Sequence, residues 1–218
     1  MHAETYSLII DAEVKDSAEK EKMLKAINTN EAVKLKASWV EKYCRNEELT
    51  FAQRSIAFVC VEIFFLCGSF AVLFYLKNRN SMHGKIFSNE LIARDERSHV
   101  RSGCTLHKML LEQVTDDFIR EIIESAVIVE KDFWKAVLPA AILGIKCLSM
   151  SLYIEYIADQ LLLMLNLTKV FETPCFFDFM VLGELEGKSN LFERRVGDYR
   201  QARINDPTRF EFDTSAEF

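Results

Sequence analysis

The chain has 218 residues, half of them apolar and 28% charged, the balance of a globular domain with a sizeable core and not of a disordered chain. Seven Gly and three Pro are too few for the turns of a β-sandwich or barrel of this length, so long helices are expected. The net charge of -6, without a Lys- or Arg-rich block, argues against nucleic-acid binding. Six scattered cysteines with no C-x-x-C pair fit reduced thiols in the cytoplasm, and Met1-His2-Ala3-Glu4 does not open a secretory signal.

Residues 2–13 read as a helix end, with Leu8, Ile9, Ile10 and Ala12 after a polar start. Lys15-Asp16-Ser17 is a turn with capping residues, and Ser17–Asn28 a short polar helix. Residues 31–46 are amphipathic, with Val33, Ala37, Trp39, Val40 and Tyr43 on or near one face. Residues 50–76 form the most apolar stretch, and Ile56–Leu76 carries a single charge, Glu62. By length it could span a membrane, but a carboxylate near its middle is costly in lipid. No second span of similar purity follows, so a buried bundle helix with no membrane contact is expected. A linker near Asn78–Gly84 precedes a helix over 88–112. Thr115 or Asp116 caps the next, which runs to about Val137 and is stopped by Pro139. Residues 140–167 continue the helical pattern, 173–187 are irregular, 190–203 form a further helix and 204–218 a polar tail.

Glu96 and His99 form E-x-x-H, which on a helix places a carboxylate and an imidazole one turn apart on one face. Such a pair can bind a transition metal, but the motif also occurs by chance as a solvated pair. Glu62 must be neutralised, ion-paired or metal-bound inside its apolar helix, because an isolated buried carboxylate is too costly. A Lys or Arg partner and a cavity shared with Glu96 and His99 both meet that need. His2 adds a candidate nitrogen, against the plainer reading of a frayed terminus. Tyr6 lies one turn on, where core packing is its ordinary role. Helix-bundle di-metal proteins use two E-x-x-H helices and two further Glu. Here one E-x-x-H is whole, and the Glu that would precede His2 by three residues falls before Met1.

Several stretches are similar to the small subunit of class I ribonucleotide reductase, of the eukaryotic and viral kind. They are His2-Ala3-Glu4-Thr5-Tyr6-Ser7-Leu8; Val61-Glu62 with Gly68-Ser69-Phe70; the run Phe87 to Glu96 with His99; Tyr153-Ile154-Glu155; Phe177 to Met180; Leu185-Glu186-Gly187-Lys188; and Glu193 to Tyr199. The resemblance covers nearly the whole chain. It implies an all-α, ferritin-like helical bundle over residues 1–203 and a flexible docking tail over 204–218. His2, Glu62, Glu96 and His99 match four of six di-iron ligands. Tyr6 matches the tyrosine that holds a stable radical, and Leu66, Phe70 and Ile92 match the apolar pocket around it, Leu66 standing where Phe is usual. Asp95 matches the aspartate that hydrogen-bonds the ligand histidine. Tyr199 matches the tyrosine that passes the radical to the large subunit, and the tail with Phe210, Phe212 and Phe218 resembles the peptide that docks there. The implied activity is that of the radical-generating subunit of ribonucleoside-diphosphate reductase, a homodimer or a heterodimer with a full-length small subunit.

The chain departs from that pattern. The family's first two ligands, an Asp and a Glu, would lie upstream of Met1, so an N-terminally truncated bundle unable to complete the six-residue site alone is expected. It reads either as a fragment of a full small subunit or as a catalytically inactive short paralogue with a structural or regulatory role. A different small metal-binding helical protein is the remote alternative. Arg97 and Ser98 replace a Gly and an apolar residue, Ile128 and Gln160 replace arginines, and Glu13 replaces an aromatic.

Overall fold

The order of elements follows the apolar periodicity of the chain. The computed structural model describes residues 2–77, 83–138, 145–177 and 180, and among them every regular element is an α-helix. These are α1 (His2–Glu13), α2 (Ser17–Leu24), α3 (Ala26–Thr29), α4 (Glu31–Tyr43), α5 (Phe51–Lys77), α6 (His83–Met109), α7 (Asp116–Val137) and α8 (Cys147–Met164). The chain up to Leu182 is one compact unit. The expected helix at 190–203 and the tail at 204–218 lie outside the described residues.

Local chemistry fixes most helix ends. Asp16 accepts the Glu19 N–H at 2.8 Å and starts α2; Asn30 accepts from Ala32 and Val33 and starts α4; Thr115 accepts from Phe118 and starts α7. The α8 end is a Schellman motif. Asn166 turns to φ 64°, its N–H bonds Leu163 O at 3.0 Å, and Leu167 N–H bonds Leu162 O at 2.9 Å. The expected single helix Ser17–Asn28 is broken at Lys25, whose φ of -99° and ψ of 15° interrupt it. Neither half buries a residue that would hold the helix continuous. α6 begins five residues before the expected start at 88, because fully buried Ile86 already belongs to its core face.

α5 is the central helix and packs against α4, α6, α7 and α8. It is long and apolar enough to cross a membrane by length and composition, yet half of its most apolar stretch is buried in the bundle. Ile56, Val59, Cys60 and Phe64 meet the α7 stripe of Ile119, Ile122, Ile123, Ala126 and Val127 and the α8 residues Ile154, Ala158 and Leu161 in one core. Two helix-interior glycines set the helix spacing. A Cβ on Gly68 would lie 2.1 Å from Trp134 Nε1 of α7, and one on Gly103 would lie 2.3 Å from Val59 Cγ2 of α5. Beside Gly68, the fully buried Glu130 accepts the Trp134 indole N–H at 2.7 Å and pairs with Lys36 at 2.6 Å. The Lys36 ammonium in turn sits 3.8 Å from the Phe133 ring centre.

A second, smaller apolar cluster lies where α1, α5 and α6 meet. Phe70, Ile92 and Ala93 are buried there, with Tyr6, Leu66 and Phe74 packed around them. α1 buries no residue fully. It is tied to α6 by the Lys85–Glu13 ion pair at 2.8 Å and by the Tyr6 hydroxyl.

Candidate metal centre

Three helices each bring one face to the same place. On α5, Glu62, Leu66 and Phe70 repeat every four residues. On α6, Ile92, Glu96 and His99 follow the same one-face spacing, and α1 adds His2 and Tyr6, four apart. Each helix thus carries an apolar segment, which locks it into the small cluster, and polar side chains one or two turns away.

Those polar groups converge. Donor atoms of Glu62, Glu96 and His99 lie within 4.8 Å of one another. His99 Nδ1 is 3.0 Å from Glu62 Oε2 and 3.0 Å from Glu96 Oε2. His2 Nε2 approaches Glu96 Oε1 at 3.5 Å and Asp95 Oδ2 at 3.7 Å. The latter is an ion-pair distance and longer than a hydrogen bond. Of the two fates open to Glu62 in the sequence, the fold sets it beside Glu96 and His99. Glu96 is buried, the Glu62 side chain is 14% exposed and the His99 ring 50% exposed, so the cluster lies at the edge of the bundle.

The electrostatics are those of a site in need of positive charge. Burial, and then the adjoining Glu96 carboxylate, push the Glu62 carboxyl up to about 7, against the opposing pull of His99. Glu62 and Glu96 together raise the pKa of His99. A positive charge at this point, on a protonated His99 or a bound cation, offsets the two carboxylates. Carboxylate oxygens and imidazole nitrogens in this number and spacing fit a first-row transition metal such as iron or manganese. The residues able to hold one are Glu62, Glu96 and His99, with His2 beside them.

Tyr6 lies on the apolar side of this cluster. With Leu66 and Phe74 it packs against the buried Phe70, Ile92 and Ala93, and burial followed by the charge of Glu96 raises its pKa. Its hydroxyl donates to Asn89 Oδ1 at 2.9 Å. Asn89 was not among the residues singled out by sequence. The available signal was its position seven residues before Glu96, on the same helical face as Ile92 and Glu96. The sequence-designated Tyr199, Phe210, Phe212 and Phe218 lie outside the described residues. Of the departures, Glu13 is paired with Lys85, Ser98 bonds the Arg94 carbonyl of its own helix at 3.1 Å, and Ile128 is 59% exposed, so none of these three side chains disrupts the cluster.

The family model described as "Ribonucleotide reductase, small chain" matches residues 1–175. The chain is 43% identical over 219 residues to human ribonucleoside-diphosphate reductase subunit M2, covering all of this chain and 56% of that protein. It is 42% identical over 218 residues to the vaccinia virus (strain Western Reserve) ribonucleoside-diphosphate reductase small chain, covering all of this chain and 68% of the viral one. Among solved structures it is similar to the ribonucleotide reductase Rnr4 homodimer from Saccharomyces cerevisiae, with a TM-score of 0.74 and 30% identity over 91% of this chain and 60% of that one. The chain therefore spans somewhat more than half the length of the human relative.

Proposed function

The chain belongs to the ribonucleotide reductase small-chain family, with the ferritin-like helical fold of that family, and on that premise we propose that it serves to generate a tyrosyl radical for a partner reductase subunit. The observation that carries this reading is the convergence of Glu62, Glu96 and His99, with His2, on one side of a buried-edge tyrosine, Tyr6.

In this reading His2, Glu62, Glu96 and His99 hold iron, as part of a di-iron site. Carboxylate-held iron would supply, with dioxygen, the oxidising power to take one electron from a nearby phenol. The protein's own contribution is in three parts. Glu62 and Glu96 provide the negative charge that attracts the cation, and Glu62 must give up the proton that burial holds on it. Leu66, Phe70 and Ile92 keep water and reductants from the Tyr6 ring. Asp95, beside His2, orients that imidazole and begins the route by which the oxidising equivalent leaves. Tyr199 and the tail with Phe210, Phe212 and Phe218 are assigned to transfer and docking on the large subunit, where ribonucleoside diphosphates are reduced. We assign a dimeric, cytoplasmic protein, in line with the homodimer of the yeast relative and with six free cysteines. The reading as an inactive paralogue draws no support from the relatives, which are named as reductase chains.

The test is anaerobic loading of the full chain with ferrous iron, exposure to air, metal counting and electron paramagnetic resonance. With four of the family's six ligands in this sequence, iron uptake below a full di-iron complement that falls further in Glu96→Ala and His99→Ala is the expected result, and any tyrosyl signal is absent from Tyr6→Phe. Uptake indifferent to both ligand substitutions, or a signal that survives Tyr6→Phe, overturns it.

A further inference from the structure

The Tyr6 hydroxyl makes a contact that metal binding does not explain. It donates to Asn89 Oδ1 at 2.9 Å, and Asn89 is only 2% exposed. The amide nitrogen of Asn89 donates to the Lys85 backbone carbonyl, also at 2.9 Å. A carbonyl can only accept, so the nitrogen must face Lys85 and the oxygen must face Tyr6. An amide oxygen can only accept, so the phenol must donate. Turning the amide over would set oxygen against oxygen at Lys85 in a buried place, which fixes the orientation. Lys85 is itself anchored to α1, because its ammonium pairs with Glu13 at 2.8 Å. The same residue thus ties down α1 through its side chain and aims Asn89 through its backbone.

We propose that Asn89 is a positioning residue for Tyr6: its locked amide oxygen sets the rotation of the phenol ring and the direction of the hydroxyl proton in the state from which Tyr6 is oxidised. This deepens the function proposed above and rests on Tyr6 being the residue oxidised. The apolar cluster of Phe70, Ile92 and Ala93 packs against Tyr6 but offers nothing directional to its oxygen. Asn89 supplies that direction. It acts on the metal cluster only through Tyr6.

The test reads the hydroxyl directly in the full, metal-free chain labelled with 13Cζ-tyrosine, one of six tyrosines being assigned to Tyr6 by its loss in Tyr6→Phe. In an equal mixture of H2O and D2O, a hydroxyl held by Asn89 exchanges slowly and the Tyr6 line splits into protonated and deuterated forms. A single averaged line overturns the proposal, and beyond the Tyr6→Phe assignment this measurement is made on the unsubstituted protein. Asn89→Leu, of similar size but without an acceptor, is expected to merge the split line and shift Tyr6 alone among the six. Asn89→Asp restores the split line at acidic pH, when the introduced carboxyl can donate to Lys85 O and accept from Tyr6. A Tyr6 line unchanged in Asn89→Leu overturns the proposal.

In the iron-loaded, aerated chain the β-methylene hyperfine splitting of the radical reads ring rotation, and Asn89→Leu is expected to change it. A radical with the same splitting in both proteins overturns the role of Asn89 and leaves the proposed function standing. A radical that survives Tyr6→Phe overturns the proposed function, and the role of Asn89 in it, even where the split line shows the hydrogen bond itself.

Discussion

Glu62 and Lys36 illustrate opposite ways of keeping a charge inside a helical bundle. Glu62 holds its proton to about pH 7 because burial and Glu96 disfavour its charge. A carboxyl with a raised folded pKa stabilises the metal-free protein below the free carboxylate range, and that contribution is lost as pH rises through about 7. The raised His99 works in the same direction, from the ordinary imidazole range upward. Urea midpoints of the metal-free protein from about pH 5 to about pH 8 should therefore fall relative to those of Glu62→Gln; parallel curves would mean that Glu62 carries no such proton. Metal uptake should run the other way and strengthen as pH rises, since the ligands must lose protons to bind. Lys36 instead pairs with the fully buried Glu130. Lys36→Met leaves that carboxylate without its cation and should cost about 3–5 kcal/mol in chemical denaturation, and adding Glu130→Gln should recover most of it. At this scale the sequence displayed Glu62 plainly, as one charge in an apolar run. It hid Lys36–Glu130 and Tyr6–Asn89, because each joins polar residues far apart in the chain whose isolated patterns look like solvated helix faces.

Helices were legible where apolar periodicity is long or a cap is present. α5 and α7 emerge nearly whole from the sequence, and of the two caps it offers for α7, Thr115 or Asp116, the first is the one used. Ser17–Asn28 does not, since a polar helix held by no core face is decided by small local energies, and it breaks at Lys25. The close approach of α5 and α7 at Gly68 was likewise invisible, because it depends on Trp134 arriving from another helix. Gly68→Ala should gain about 1 kcal/mol in helix propensity but lose more by pushing Trp134 off Glu130, for a net destabilisation of about 1–2 kcal/mol. A thermal melt, with Trp134→Phe as the relieving second substitution, would check it; a stabilised Gly68→Ala protein would contradict the packing described. α1, which buries no residue fully, should exchange its amide hydrogens before α5 and α7 do. Equal protection in native-state exchange would show α1 to be anchored by more than Tyr6, Glu13 and its edge contacts.

For the molecule as a whole, composition favoured long helices over a β-sandwich or barrel, and the run around Glu96 pointed to the family that the relatives then established. Domain limits and the roles of Tyr199 and the tail rest on that resemblance, since they fall outside the described residues. The thiols offer a global probe. Cys60 and Cys67 are fully buried, with pKa values pushed well up, and Cys44 and Cys104 are pushed up to about 11. The buried Cys60, Cys67 and Cys104 should resist alkylation in the native protein and react in step with unfolding, whereas part-exposed Cys147 and Cys175 should react earlier; early modification of Cys60 would refute the burial. One consequence concerns α1 alone. His2 and Tyr6 ride on the same thinly anchored helix, so a donor and the phenol arrive together or not at all. In any preparation where a fraction of molecules has α1 frayed, that fraction forfeits both at once. Across samples of differing quality, radical yield should then scale in proportion to the His2-dependent part of metal content, as one stoichiometric pair.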